Sequence, residues 1–177
     1  MRRKLYSIFR YCLIRFVYRF SRKVKVHNSA VIRGYDNLTV GACVQIQSHV
    51  IIHAFNKLNI GVNTQLNPFT VIYTGSPIHI GSNVMIGPHC VLTSGKHDHN
   101  QTSKPMRFAE SISKGPITID DDVWIGANVT IADGIHIGCG AVIGANSFVN
   151  KDVPSYGVVG GVPAKIISKR KMINNVL

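Results

Sequence analysis

The feature that most constrains this chain is a six-residue spacing of aliphatic side chains. From Ile119 the steps read Ile125, Ile131, Ile137, Ile143 and Val149, and upstream they read Val40, Ile46, Ile52, then Ile60, Leu66, Ile72, then Ile80, Ile86, Leu92. Each upstream set of three is followed by two extra residues, so the coil is 20 residues long there and 18 in the downstream half. A fixed period of this kind marks a repeat architecture, in which one unit cannot bury its apolar face alone and must stack on its neighbours. The other places in the hexapeptide are biased as well. Gly41, Gly61, Gly81, Gly87, Gly126, Gly138 and Gly144 follow the aliphatic by one, and Val44, Thr64, Val84, Val123, Val129, Ala141 and Ser147 follow it by four. Three places after it stand Asn63, Asn83, Asn128, Asn146, Gly75, Gly95, Gly134 and Gly140, residue types that tolerate positive φ and so predict corners. The expectation is a short strand, a tight corner and another short strand, three to a turn, with equivalent aliphatics stacked about 4.8 Å apart as parallel strands.

Composition supports a folded chain and excludes several function classes. Its 177 residues are 45% hydrophobic and 16% charged, far from a disordered composition. Twenty Lys and Arg against eight Asp and Glu give a formal charge of +12, but nine of those cations fall within residues 1–25, where there is no carboxylate. The body is nearly balanced, and no aromatic signature of nucleic-acid binding accompanies the basic end, so no nucleic-acid partner is expected. Cys12, Cys43, Cys90 and Cys139 are widely spaced, without CxxC or Cys/His clusters, and read as reduced thiols of a cytoplasmic protein. Arg10, Arg15 and Arg19 interrupt the apolar stretch near the N-terminus, which therefore reads as neither a membrane span nor a secretory signal. No P-loop and no GxGxxG after a strand is present, which leaves nucleotide hydrolysis and dinucleotide chemistry without support.

The period breaks once. Leu92 and Ile119 are 27 positions apart, not a multiple of six, and the segment between them concentrates His97, Asp98, His99, Asn100, Gln101, Lys104, Arg107 and Glu110. A long insertion in a compact solenoid is usually functional, so this is the first place to seek a site.

The runs IGSNVMIGPHCVLTSGKH (80–97), GPITIDDDVWIGANV (115–129), GANS (144–147), NKDV (150–153) and GVPAKI (161–166) resemble the core of the galactoside, maltose and bacterial polysaccharide O-acetyltransferases, among the hexapeptide-repeat acyltransferases. That resemblance implies a left-handed parallel β-helix, although the general preference for parallel crossovers is right-handed. The expected organisation is an all-β solenoid over residues 26–168, a basic amphipathic helical segment over 1–25, one loop extruded from a coil at 93–116, and a tail at 169–177. The resemblance further implies transfer of an acetyl group from acetyl-CoA to a saccharide or glycan hydroxyl by direct attack. Five residues beyond Leu92, His97 matches the position of the catalytic base; His99 is its competitor, and Asp98 or Glu110 is available to orient either ring. A neutral imidazole is suited to the task because its ordinary pKa lies near neutrality. The Ala127 backbone N–H matches an oxyanion donor, Trp124 an aromatic wall beside the reacting groups or a residue packed at a subunit seam, and Asn67 an acceptor-binding asparagine. On the donor side the resemblance points to Gly144, Ala145 and Ser147 along the pantetheine arm, Lys151, Lys165 and Lys169 toward phosphates, and Pro163 with Ala164 toward adenine. It also implies a homotrimer whose sites lie between subunits.

Other readings remain open at this point. N-acetylation of a nucleotide-linked amino sugar uses the same donor and base. A zinc enzyme of the carbonic anhydrase type has histidines to draw on in His79, His89, His97, His99 and His136, but the HGC run of that family is missing and no metal is expected. A solenoid scaffold without chemistry is the bland alternative. At the N-terminus, Leu5, Ile8, Phe9, Cys12, Leu13, Phe16, Val17 and Phe20 fall on one helical face with Arg2, Arg3, Arg10, Arg15, Arg19 and Arg22 off it. Two roles suit such a helix: capping the first coil near Val26 and Ile32, or peripheral contact with the inner face of the cytoplasmic membrane, where a lipid-linked glycan acceptor would be met.

Overall fold

The computed structural model describes residues 23–171. The amphipathic segment expected at 1–25 lies, up to residue 22, outside the described residues, as does Cys12. Inward-pointing aliphatics build a solenoid of three parallel sheets that the chain visits in turn. Sheet A stacks β1 (Lys25–Val26), β4 (Gln45–Ile46), β7 (Gln65–Leu66), β10 (Met85–Ile86), β15 (Trp124–Ile125), β18 (Val142–Ile143) and β20 (Gly157–Gly160). Sheet B stacks β2 (Val31–Arg33), β5 (Ile51–His53), β8 (Val71–Thr74), β11 (Val91–Ser94), β16 (Thr130–Ile131) and β19 (Phe148–Val149). Sheet C stacks β3 (Leu38–Val40), β6 (Leu58–Ile60), β9 (Ile78–Ile80), β14 (Ile117–Ile119) and β17 (His136–Ile137).

The register follows the repeat. Gln45 pairs with Gln65 and Gln65 with Met85, steps of twenty, while Trp124 pairs with Val142, a step of eighteen. Met85 pairs with Trp124, 39 positions on, because one coil there carries the insertion. Every aliphatic of the six-residue series is buried except Val40, which is partly buried against the core. The glycines one place beyond the aliphatic are demanded by the spacing of coils: a Cβ on Gly61 would stand 2.4 Å from the Gly81 carbonyl carbon, and one on Gly126 would stand 2.7 Å from the Ala145 nitrogen.

The corners are set by position in the coil more than by residue type. Asn63, Asn83, Asn128, Asn146, Gly95, Gly134 and Gly140 have positive φ as expected, but so do Cys43, His49, Phe69, His89, Asp122 and Tyr156 at equivalent places. The rings of His49, Phe69 and His89 consequently stack in a column, centroids 4.8 Å apart and planes within 6° of parallel. Gly75 corrects the expectation in the other direction. It is not in the left-handed region, and it is small because its Cβ would lie 2.4 Å from the Ser94 carbonyl oxygen, which its own N–H uses as acceptor at 2.8 Å.

The C-terminal end packs back on the solenoid. The chain after β20 reverses into β21 (Lys165–Lys169), which runs antiparallel along it. Residue 170 belongs to the fold rather than to a free tail: Arg170 Nη1 donates to Asp122 Oδ2 and to the Gly140 carbonyl, both at 2.9 Å.

Candidate active site

The base of the extruded loop is pinned as a short antiparallel hairpin, with turns and irregular chain between its two legs. β12 (Lys96–His97) pairs with β13 (Ser111–Ile112), Lys96 opposite Ile112 and His97 opposite Ser111. The Asp98 N–H adds a bond to the Glu110 carbonyl at 2.8 Å, and a 3-10 turn at Met106–Phe108 helps close the far end. The hairpin leaves the solenoid at the corner between sheets B and C, just after β11.

This hairpin fixes the His97 ring. Its Nδ1 lies 3.1 Å from the Ala109 carbonyl oxygen, a group that can only accept, so Nδ1 carries the proton and donates. In the neutral ring Nε2 then keeps its lone pair. The orienting group is thus a backbone carbonyl. Asp98, expected as one candidate for that role, is engaged locally, its Oδ1 accepting from the Asn100 N–H at 3.1 Å. His99 is exposed beyond His97 on the same hairpin.

The expected oxyanion donor lies elsewhere in the chain. Ala127 sits at the corner between sheets A and B. Its flanking amides are used, Gly126 N–H to the Ile143 carbonyl and Asn128 N–H to the Pro88 carbonyl, both at 2.8 Å. The Ala127 N–H between them meets no acceptor among the described residues. The same peptide is anchored from below: buried Cys90 Sγ donates to the Gly126 carbonyl at 3.0 Å, and Gly87 has no side chain because a Cβ there would reach 2.7 Å from the Ala127 nitrogen. An unpaired amide on a rigid corner is a preorganised donor for an oxygen that gathers negative charge.

The remaining predicted residues divide between two edges of the prism. Trp124, outward on β15 and 53% exposed, Gly144 and Ala145 share the A/B edge with Ala127, and Gly161 to Ala164 packs against Phe148 just beyond it through the Phe148 to Gly161 and Ala164 to Phe148 bonds. Lys165 and Lys169 are exposed on β21, and Pro163 is exposed just before it. Lys151 is exposed on the B/C edge, two coils above the hairpin neck. Two of the side chains are engaged within the fold. Ser147 is 2% exposed and points inward; its hydroxyl donates to the Gly144 carbonyl at 2.6 Å and accepts from the Gly161 N–H at 3.2 Å, so its side chain braces the corner and stays out of the edge. The Asn67 side chain is held in place, one Nδ2 hydrogen donating to the Ile86 carbonyl and its Oδ1 accepting from Gln65 Nε2, each at 2.8 Å; the second Nδ2 hydrogen has no partner among the described residues. Within one chain, the neck of the His97 hairpin and Ala127 stand on different corners of the prism, and no hydrogen bond joins the two residues. The length of β11 separates their corners, roughly 13 Å at about 3.3 Å per residue. Among the described residues no three His, Cys, Asp or Glu side chains converge as metal ligands would.

A family model for the hexapeptide repeat of succinyl-transferase matches residues 116–151. Among solved structures, a hexapeptide-repeat-containing acetyltransferase of Vibrio cholerae O1 biovar eltor, in complex with acetyl coenzyme A, is 38% identical, covering 78% of this chain and 74% of that one with a TM-score of 0.69. This chain belongs to the hexapeptide-repeat acetyltransferases. A maltose O-acetyltransferase of Clostridium difficile 630 is 26% identical, covering 92% of this family member and 75% of that chain at TM-score 0.62. An N-acyltransferase of Bacillus cereus, in complex with dTDP and 3-hydroxybutyryl-CoA, shares the fold at TM-score 0.80 and 22% identity, covering 92% and 88%. Among curated relatives, 2,3,4,5-tetrahydropyridine-2,6-dicarboxylate N-acetyltransferases of Staphylococcus aureus are 42% identical over 66 residues, 37% of this chain. The match spans 28% of the length of those relatives.

The Cys90 anchor beneath Ala127 leads to a pH dependence. Burial pushes the Cys90 thiol above its ordinary value, opposed in part by the Val129 and Asn128 backbone hydrogen bonds. The folded protein keeps this proton where the unfolded chain has released it. The stabilisation is therefore complete below about pH 8.5, the ordinary thiol value, and is lost as pH rises through the folded one. Unfolding free energies measured from pH 7 to 10 should fall more steeply for the wild type than for Cys90→Ser, by at most about 1.4 kcal/mol per pH unit. Identical slopes would remove Cys90 from this account.

Proposed function

We propose that this chain catalyses transfer of the acetyl group of acetyl-CoA to a hydroxyl of a saccharide or glycan precursor, by direct attack and with His97 as general base. The observation that carries the reading is the His97 ring, tied through Nδ1 to the Ala109 carbonyl with Nε2 left to accept a proton. Acetyl-CoA supplies an acyl carbon activated as a thioester. His97 Nε2 takes the proton of the attacking hydroxyl, the Ala127 N–H donates to the thioester oxygen as charge collects there, and the imidazolium returns its proton to the departing sulfur. A well-placed base of this kind contributes about a hundredfold to ten-thousandfold, and one oxyanion donor about a hundredfold to a thousandfold. Gly144 and Ala145 leave the A/B edge open to an extended pantetheine arm, and exposed Lys165 and Lys169 suit its phosphates. The winding is taken as left-handed, in keeping with the hexapeptide pattern.

The acting unit in this reading is a homotrimer. The base stands on the B/C edge and the oxyanion donor on the A/B edge, so a complete site needs the two edges of different copies to meet. A head-to-tail contact of that kind closes into a ring, and a three-edged prism suits threefold closure.

Transfer to the amine of an amino sugar is the second reading, favoured by the N-acetyltransferases that are 42% identical over 66 residues. A screen of paired hydroxyl and amino acceptors, followed by free thiol release from acetyl-CoA, separates the two. On the best acceptor, His97→Ala should lower kcat about a hundredfold or more while His99→Ala stays within about tenfold of wild type; the reverse order would move the base to His99. Sedimentation should give three times the 19.4 kDa chain mass, and a fully active monomer would overturn the shared site.

A further inference from the structure

We propose that Asp133 is a positioning residue that seats the catalytic hairpin on the solenoid, an inference that rests on the role given above to His97. Asp133 is two places beyond Ile131 at the B/C corner, where earlier coils carry Ala54, Thr74 and Ser94, all buried. It is 8% exposed, and a carboxylate in such a place requires donors. It finds them on both legs of the hairpin. Its Oδ1 accepts from the Gly95 N–H at 2.7 Å and the Ser113 hydroxyl at 2.8 Å, and its Oδ2 accepts from the Lys114 N–H at 2.5 Å.

The carboxylate compensates for what the insertion removes. In the preceding coil the Gly75 N–H donates to the Ser94 carbonyl, strand to strand. At the equivalent place one coil later, the Gly95 N–H donates to the Asp133 side chain. Glycines stand at both ends of the neck, Gly95 at φ 86° and Gly115 at φ 130°. Both are values that side-chain-bearing residues rarely adopt. Glycine hinges alone would let the hairpin swing, and Asp133 holds the two legs together two residues before His97. The Ser76 hydroxyl adds a longer contact to Oδ1 at 3.5 Å. Each oxygen faces a backbone N–H, Gly95 on Oδ1 and Lys114 on Oδ2, so both must accept; an amide at this position would set its NH2 against one of those N–H groups. The chemical prediction is that Asp133 acts on the rate through the direction of the His97 ring, without touching substrate.

The test compares wild type with Asp133→Asn and Ser113→Ala, the latter removing one donor and keeping the carboxylate. Three quantities are measured in full-length protein: kcat and KM for acetyl-CoA, the 15N imidazole shifts of His97, and proteolytic cleavage within 96–114. For Asp133→Asn we expect kcat to fall at least tenfold with KM for acetyl-CoA within twofold, the His97 signals to lose the Nδ1–H tautomer signature, and cleavage to accelerate. Ser113→Ala should follow in the same direction and by less. A lowered thermal midpoint with unchanged kcat and unchanged His97 shifts would assign Asp133 to fold stability alone and overturn the proposal, and so would no change in any readout. Should the wild type transfer no acetyl group to any acceptor, the imidazole shifts and cleavage rates still decide whether Asp133 seats the hairpin. Failure of the enzymatic reading is thus distinguishable from failure of this one. If Asp133→Asn does not fold, Ser113→Ala decides by the same readouts.

Discussion

Strand amides in this solenoid find their acceptors on the next coil. Gln45 N–H donates to the Thr64 carbonyl, Gln65 to Val84, Met85 to Val123 and Trp124 to Ala141, all between 2.9 and 3.0 Å. A coil that lost its register would leave a full turn of buried backbone unpaired, at a cost comparable to many lost hydrogen bonds. Everything else is subordinate to that ladder: the inward aliphatic every sixth residue, the glycine beside it where coils approach within van der Waals limits, and a left-handed corner imposed even on Phe69 and Tyr156.

Chemistry enters where the ladder is interrupted and repaired. The 39-residue step between Met85 and Trp124 holds a hairpin whose own cross-strand bonds orient His97. The ladder resumes in register immediately afterwards, with Val91 opposite Thr130 and Leu92 opposite Ile131. A rigid scaffold thereby carries the oriented imidazole of His97 on one edge and an unpaired amide on another, and in the proposed mechanism the preorganisation of both follows from the coil stacking that holds the fold together.

How much of this was legible in the sequence depends on whether side chains or backbone carried the information. The inward series from Val40 to Val149 was legible because burial demands an aliphatic at each place. The corners were legible where Asn or Gly occupied them and hidden at His49, Phe69 and His89, since coil geometry imposes positive φ there whatever the residue. His97 was identified through family spacing, yet its partner is the carbonyl of Ala109, a group every residue has. Ser147, four beyond Ile143, stands at an inward place of the hexapeptide and is buried there. Asp133 followed by Gly134 resembles an ordinary turn, and nothing local distinguishes a buried carboxylate that accepts from Gly95 and Lys114, 38 and 19 positions away.

The central claim is that one site draws His97 from one copy and the Ala127 edge from another. Mixing two variants tests it most directly: His97→Ala, which keeps the A/B edge, and Ala145→Trp, whose added bulk at an exposed corner blocks that edge. Each alone should be inactive. Refolded together at equal amounts, they should recover roughly a quarter of wild-type turnover, because every mixed ring of three restores one site. Mixed oligomers that assemble and remain as inactive as their parents would contradict the shared site and place base and oxyanion donor on the same chain.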